Sequence, residues 1–211
     1  MDLKHHRREY KRAILNENLL PELPFPLFNQ WLQEALKEEK HDPTAMVLST
    51  AGKDNIPSAR MVLLKESSER GLVFFTNYLS HKGNDMEQNP HVSLLFFWPA
   101  MERQVRIEGI VQKIPAIESD TYFVSRPEES QIAVWASQQS TRIPDRKVLE
   151  ERYSEFSEKF KGKTIPRPPY WGGYLAVPYC FEFWQGRENR LHDRIEYRLS
   201  DNRWTRARLA P

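Results

Sequence analysis

Between residues 103 and 114 polar and apolar residues alternate. In Gln104-Val-Arg-Ile-Glu-Gly-Ile-Val this gives one face to bury and one polar face open to solvent or a ligand. Shorter strand-like runs precede it at 45–50, 58–65, 71–76 and 92–98, with the turn residues Gly52-Lys-Asp-Asn55 between the first two. The spacing predicts a meander of antiparallel strands. Residues 174–184 and 195–209 return to strand, and helices are expected at 27–40, from Pro115 through Phe123, at 127–136 and at 145–161. Strand never alternates with helix around a glycine-rich turn, which weighs against a Rossmann-type dinucleotide site. The expected fold is mainly β: a closed or nearly closed antiparallel barrel with helices packed outside it.

Residues 1–26 are polar and then proline-rich, ending in Pro21-Glu-Leu-Pro24-Phe-Pro26. They read as an arm lying over a second unit, residues 27–211, rather than as part of its core. The chain of 211 residues has 31 Lys and Arg against 29 Asp and Glu, a formal charge of +2. That balance, with no RNP-like or helix-turn-helix pattern, argues against nucleic-acid binding. Both ends are nevertheless basic. Residues 1–12 carry Lys4, Arg7, Arg8, Lys11 and Arg12 against Asp2 and Glu9, and residues 190–211 carry six arginines against three acids.

The single cysteine, Cys180, cannot form an intrachain disulfide and belongs to no Cys/His cluster, so a reducing, cytoplasmic setting is expected and no metal site. No apolar run is long enough for a membrane span, and the charged N-terminus does not read as a signal peptide. The chain also lacks Gly-x-Ser-x-Gly and any obvious carboxylate dyad, which speaks against hydrolysis.

Four groups of residues bear on the binding of an anion or a polar ligand. Arg60 and Lys65 lie five apart in a strand and point to opposite faces unless a bulge intervenes. Ser80 is suited to cap a short helix, aiming backbone N–H groups and Lys82 at one anion; the alternative is an ordinary surface cap with a solvated lysine. Residues 138–142, Gln-Gln-Ser-Thr-Arg, form either a loop or a set of donors. Near the C-terminus Arg190, His192 and Arg194 alternate with Leu191 and Asp193, so a strand would put three basic side chains on one face, which favours an anionic ligand between them.

These residues carry a resemblance. Glu182-Phe-Trp-Gln-Gly-Arg-Glu-Asn-Arg-Leu-His-Asp-Arg194 resembles the C-terminal signature of the pyridoxamine (pyridoxine) 5′-phosphate oxidase family. Arg7-Arg-Glu-Tyr10, Arg60-Met-Val-Leu-Leu-Lys65, Phe75-Thr-Asn-Tyr78, Gln104-Val-Arg, Tyr122-Phe-x-Ser-Arg126-Pro, Gln139-Ser140 and the closing Arg-Leu-Ala-Pro211 match in the same order. The resemblance implies an FMN-binding split barrel working as a homodimer, with FMN at the subunit interface. Its implied reaction oxidises pyridoxine 5′-phosphate or pyridoxamine 5′-phosphate to pyridoxal 5′-phosphate, with O2 as acceptor and H2O2 as product.

By motif, FMN falls to Arg60, Met61, Val62, Leu63, Leu64, Lys65, Phe75, Thr76, His81, Lys82, Gln104, Gln139, Ser140, Trp184 and Arg194. The substrate falls to Lys65, Tyr122, Arg126, Ser130, Arg190 and His192, with Arg7, Arg8 and Tyr10 closing over the pocket and Arg190 and His192 nearest the chemistry. One departure is visible: the family commonly has Arg-Lys after the serine, and this chain has His81-Lys82, so His81 brings less charge to the FMN phosphate.

Overall fold

A computed structural model of the chain describes residues 1–5 and 9–211. Helix α1 (Pro24–Glu38) leads into strands β1 (Ala45–Ala51), β2 (Pro57–Ser68) and β3 (Gly71–Asn77), then α2 (His81–Gln88), β4 (His91–Trp98) and β5 (Arg103–Lys113). Helices α3 (Ala116–Ser125), α4 (Glu128–Ala136) and α5 (Lys147–Phe160) precede β6 (Trp171–Gln185), β7 (Asp193–Ser200) and β8 (Arg203–Leu209). All pairings are antiparallel, in the order β3-β2-β1-β4-β5-β6-β7-β8, and β3 also pairs with β6. That pairing closes a six-stranded barrel from which β7 and β8 extend: the closed antiparallel barrel expected from the strand pattern, and the split barrel that the resemblance implies.

The long strand β6 makes this closure possible. Its first half, residues 171–176, pairs with β3, whereas residues 180–185 pair with β7, and β5 lies along the opposite edge of both halves. A bulge opposite Glu108 and Gly109 leaves Tyr179 unpaired beside Pro178, where the strand changes neighbour.

Alternation along the strands fills the barrel with Met46, Leu48, Leu64, Leu72, Phe74, Phe96, Val105, Phe181 and Phe183. Helix α1 adds Leu27, Phe28, Trp31, Leu32 and Ala35 to that core, with Phe28 edge-on to Phe96 at 5.2 Å and Trp31 edge-on to Phe183 at 5.3 Å. A second cluster, Phe123, Ile132, Phe160, Ile165 and Trp171, ties α3, α4 and α5 to the start of β6.

Three sequence expectations need correction. Helix α1 starts at Pro24, because proline suits the first turn, where its missing N–H costs nothing. The segment before it is not wholly outside the core: Leu15 is buried there, and Tyr197 Oη donates to the Pro21 carbonyl at 2.8 Å. The stretch 195–209 is a hairpin rather than one strand, turning at Asp201 and Asn202, whose φ values of 50° and 59° suit these short polar residues.

Candidate functional site

A cleft of about 540 Å³ opens between β2, β3 and the helices α2 to α4. Its wall includes Met61, Val62, Leu63, Lys65, Phe75, Thr76, Lys82, Tyr122, Arg126, Ser130 and Gln139. Eleven of the residues drawn from motifs across the chain thus meet in one place. Lys65 reaches it through the alternative left open by its spacing: the β2–β3 register shifts between Leu64 and Glu66, so Lys65 sits in a bulge and strict alternation from Arg60 does not apply. Leu64 turns its side chain into the barrel core, at 4% exposed.

One end of the cleft is cationic. Ser80 caps α2 by accepting from the Gly83 amide, and the buried Lys82 Nζ donates to Gln139 Oε1 at 3.0 Å. Residues 138–142 are therefore a loop that also supplies polar groups, since Ser140 Oγ accepts from the His81 amide at 3.2 Å. Arg60 stands behind Lys82, donating to Thr50 Oγ1 at 2.6 Å and lying 3.9 Å from the Asp85 carboxylate. Burial, and then the nearby Arg60 charge, push the Lys82 ammonium down to about 8. Two cations held together against one carboxylate suit a phosphate. His81 adds little: its side chain is 68% exposed and its Nε2 lies 3.5 Å from Asp85 Oδ1.

The other end has an aromatic wall. Tyr122 stacks on Phe75 with ring centroids 3.9 Å apart, and Phe75 stacks on Trp171 at 5.4 Å. The Arg126 guanidinium lies 4.8 Å from the Trp171 ring centroid, and its Nη1 is buried without a hydrogen-bond partner. Burial lowers the Arg126 pKa. Proline 127 does break the helix between Arg126 and Ser130, yet both residues face this cleft.

The remaining site residues form a separate group on the outer side of the barrel. Gln104, Trp184 and Arg194 are register partners across β5, β6 and β7. Tyr10 packs edge-on against both Trp184, at 5.6 Å, and His192, at 5.7 Å. Arg190, His192 and Arg194 are not on one strand face, because β7 starts only at Asp193 and the chain turns through Asn189 and Arg190 at φ 57° and 62°. Arg190 is exposed, and His192 Nδ1 accepts from the Arg187 amide at 3.1 Å, so the neutral ring carries its proton on Nε2. Burial and the Arg190 charge lower the His192 pKa and favour that neutral ring. Arg7 and Arg8 lie outside the described residues.

Sequence reasoning missed the carboxylates that hold this second group. Glu102 Oε2 accepts from the Lys11 and Arg12 amides at 2.9 and 3.0 Å, and Asp193 accepts from the Leu15 amide, Arg187 and Arg208. These partners are far apart in sequence and leave no local pattern. Trp171 was missed as well, because it lies before the strand expected at 174–184 and in none of the matched motifs, whereas β6 starts at Trp171 itself.

Among the described residues no three His, Cys, Asp or Glu side chains cluster as a metal site, and no helix is long and apolar enough to cross a membrane. Residues 32–160 match the family model described as pyridoxamine 5′-phosphate oxidase, and residues 171–211 match the pyridoxine 5′-phosphate oxidase C-terminal dimerisation region. The chain is 50% identical to a pyridoxine/pyridoxamine 5′-phosphate oxidase of Haemophilus influenzae, with all of both chains covered. It is 48% identical to the enzyme of that name from Chromohalobacter salexigens, covering all of this chain and 99% of the relative. Among solved structures, PhzG of Burkholderia lata in complex with tetrahydrophenazine-1-carboxylic acid is similar at 30% identity and TM-score 0.88, covering 94% of this chain and 98% of that one. The two family models and relatives near 50% identity over the whole chain show that the chain belongs to the pyridoxamine 5′-phosphate oxidase family of oxidases.

Proposed function

We propose that the protein is an FMN-dependent oxidase that converts pyridoxine 5′-phosphate or pyridoxamine 5′-phosphate to pyridoxal 5′-phosphate. O2 is reduced to H2O2, and the amine substrate also takes up water and releases ammonia. The observation that carries this reading is the unpartnered, buried Nη1 of Arg126 beside Lys65, Tyr122 and Ser130 in one cleft. A desolvated guanidinium with an unused donor is costly unless an anion completes it. A phosphate monoester at that end and a second one at Lys82 account for both cationic sites in one cleft.

The residues present fit FMN. Lys82 and Arg60, at the capped start of α2, would hold its phosphate, and Met61 to Leu63, Thr76 and Gln139 would line the ring. When bound, FMN supplies the hydride acceptor and passes the electrons to O2. The chain positions the substrate. Arg126 and Lys65 neutralise the substrate phosphate, while Tyr122 and Ser130 hydrogen-bond it. The aromatic wall of Phe75, Tyr122 and Trp171 excludes water. His192 presents an Nε2 donor to the group on the reacting carbon, Arg190 clamps the substrate ring, and Tyr10, with Arg7 and Arg8, closes the arm over the pocket.

Gln104, Trp184, Arg190, His192 and Arg194 do not line the cleft of their own chain. A homodimer with FMN at the interface would bring one protomer's set to its partner's cleft. Met61 and Leu63, 60% and 41% exposed beside the cleft on β2, and Phe97, 54% exposed on β4, would be covered in that assembly. The free, buried Cys180 fits a cytoplasmic setting.

The test is direct: purified protein should be yellow and consume O2 when given pyridoxamine 5′-phosphate. A colourless protein that cannot be reconstituted with FMN would end this reading.

A further inference from the structure

The outer side of the barrel carries a buried carboxylate that neither the cleft nor the arm uses. Glu182 in β6 is 4% exposed, and its register partners are Arg106 of β5 and Glu196 of β7. Its Oε1 accepts from Arg194 Nε at 2.8 Å, and its Oε2 accepts from Arg106 Nη2 at 2.7 Å. Burial alone would raise the carboxyl pKa, but the hydrogen bonds and charges of Arg194 and Arg106 bring it below the ordinary range. Glu182 is therefore a fixed anion.

Such a triad is a poor device for stability. Taking the Glu182 carboxylate out of water costs roughly what its attraction to the two part-exposed arginines returns, and an apolar side chain in the same place would serve the fold as well. What the triad does set is direction. An arginine on a strand has several side-chain torsions to choose from. Here Arg194 Nε is held by Glu182, and Nη1 donates to the Ala210 carbonyl at 2.7 Å. Two anchors fix the plane of the guanidinium, and Nη2 makes no hydrogen bond among the described residues. Arg194 also shares its cross-strand row with Gln104 and Trp184.

We infer that Glu182 is a positioning residue that acts through Arg194, turning the Nη2 edge of its guanidinium toward the flavin nucleotide. This rests on the proposed FMN reading. Arg106 holds the second carboxylate oxygen and is itself paired with Glu108, so the anchor cannot swing away with Arg194.

A double-mutant cycle on FMN affinity, read by quenching of flavin fluorescence in the full-length protein, tests this. Glu182→Gln should weaken FMN about tenfold when Arg194 is present and less than about twofold in an Arg194→Ala background. Thermal midpoints of the apoproteins run alongside, because a purely structural Glu182 would lower stability and weaken FMN equally in both backgrounds. Equal factors in the two backgrounds, or no weakening with Arg194 present, would overturn the inference. If Arg194→Ala alone leaves FMN affinity unchanged, the assignment of Arg194 to FMN fails first and takes the inference with it. Should Glu182→Gln fold poorly, Glu182→Asp enters the same cycle. It keeps the charge but is too short to reach both guanidiniums, and the same two outcomes decide.

Discussion

Lys82 Nζ donates to Gln139 Oε1 at 3.0 Å, joining the start of α2 to the loop that follows α4. This contact holds a buried ammonium ready at one end of the cleft. Lys82→Met should therefore weaken FMN binding by about tenfold to a hundredfold while the fold persists. Equilibrium dialysis against FMN checks it. Retention equal to the parent protein would remove Lys82 from the phosphate site.

The same burial gives a pH dependence. With Lys82 lowered to about 8 in the ligand-free protein, the ammonium is already charged below that pH. Above it, binding a phosphate must draw a proton onto the lysine. FMN affinity should then fall as pH rises past 8, by up to about tenfold per unit, and Lys82→Met should flatten that slope. Titration of FMN fluorescence between about pH 7.5 and 9.5 reads it directly. A slope that survives the substitution would assign the proton elsewhere.

Arg126, with its idle Nη1, is the residue on which the substrate phosphate depends most. Arg126→Ala should cut kcat/KM for pyridoxamine 5′-phosphate about a hundredfold, roughly 2.7 kcal/mol, mostly through KM, with FMN still bound. Steady-state O2 uptake measures this. A pure kcat effect would place Arg126 in the chemistry rather than in binding.

Glu102 clasps the arm through the amides of Lys11 and Arg12, and Tyr10 lies just beyond that clasp. Glu102→Ala should release the segment, speed tryptic cleavage after Lys11 and Arg12 by about tenfold, and cost roughly 1–3 kcal/mol. A second change probes the far side of the same contact. At Gly186 a Cβ would meet Tyr10 Cγ at 2.7 Å, so Gly186→Ala should displace Tyr10 and reduce activity with little loss of stability. Unchanged turnover in both variants would mean that the arm does not close over the pocket.

Much of the barrel was legible in the sequence, because alternation has a strict period and β1, β4 and β5 keep it over several residues, whereas β3 is an apolar run buried on both faces. The cap of α2 was legible too, since Ser80 has a local partner in the Gly83 amide. What escaped was set by contacts between distant segments. The bulge at Lys65 depends on pairing with β3, and the turn at Asn189 and Arg190 replaces the strand that the alternation of 190–194 suggests. Asp193, Glu102 and Glu182 carry no motif of their own, and their partners are known only once the strands are paired. The motif residues were legible by resemblance. Their division between the cleft and the outer row was not, because only the closed barrel sets which side of each strand faces the cleft.

The proposed activity is oxidation of a phosphorylated pyridine substrate by FMN bound in this cleft. Its most direct test is anaerobic addition of pyridoxamine 5′-phosphate to the FMN-loaded protein while the flavin absorbance is followed. The visible flavin band should bleach in proportion to substrate added and return on admitting air, with H2O2 formed. Flavin that stays bound and oxidised under those conditions would contradict it and leave a barrel that holds FMN without turnover.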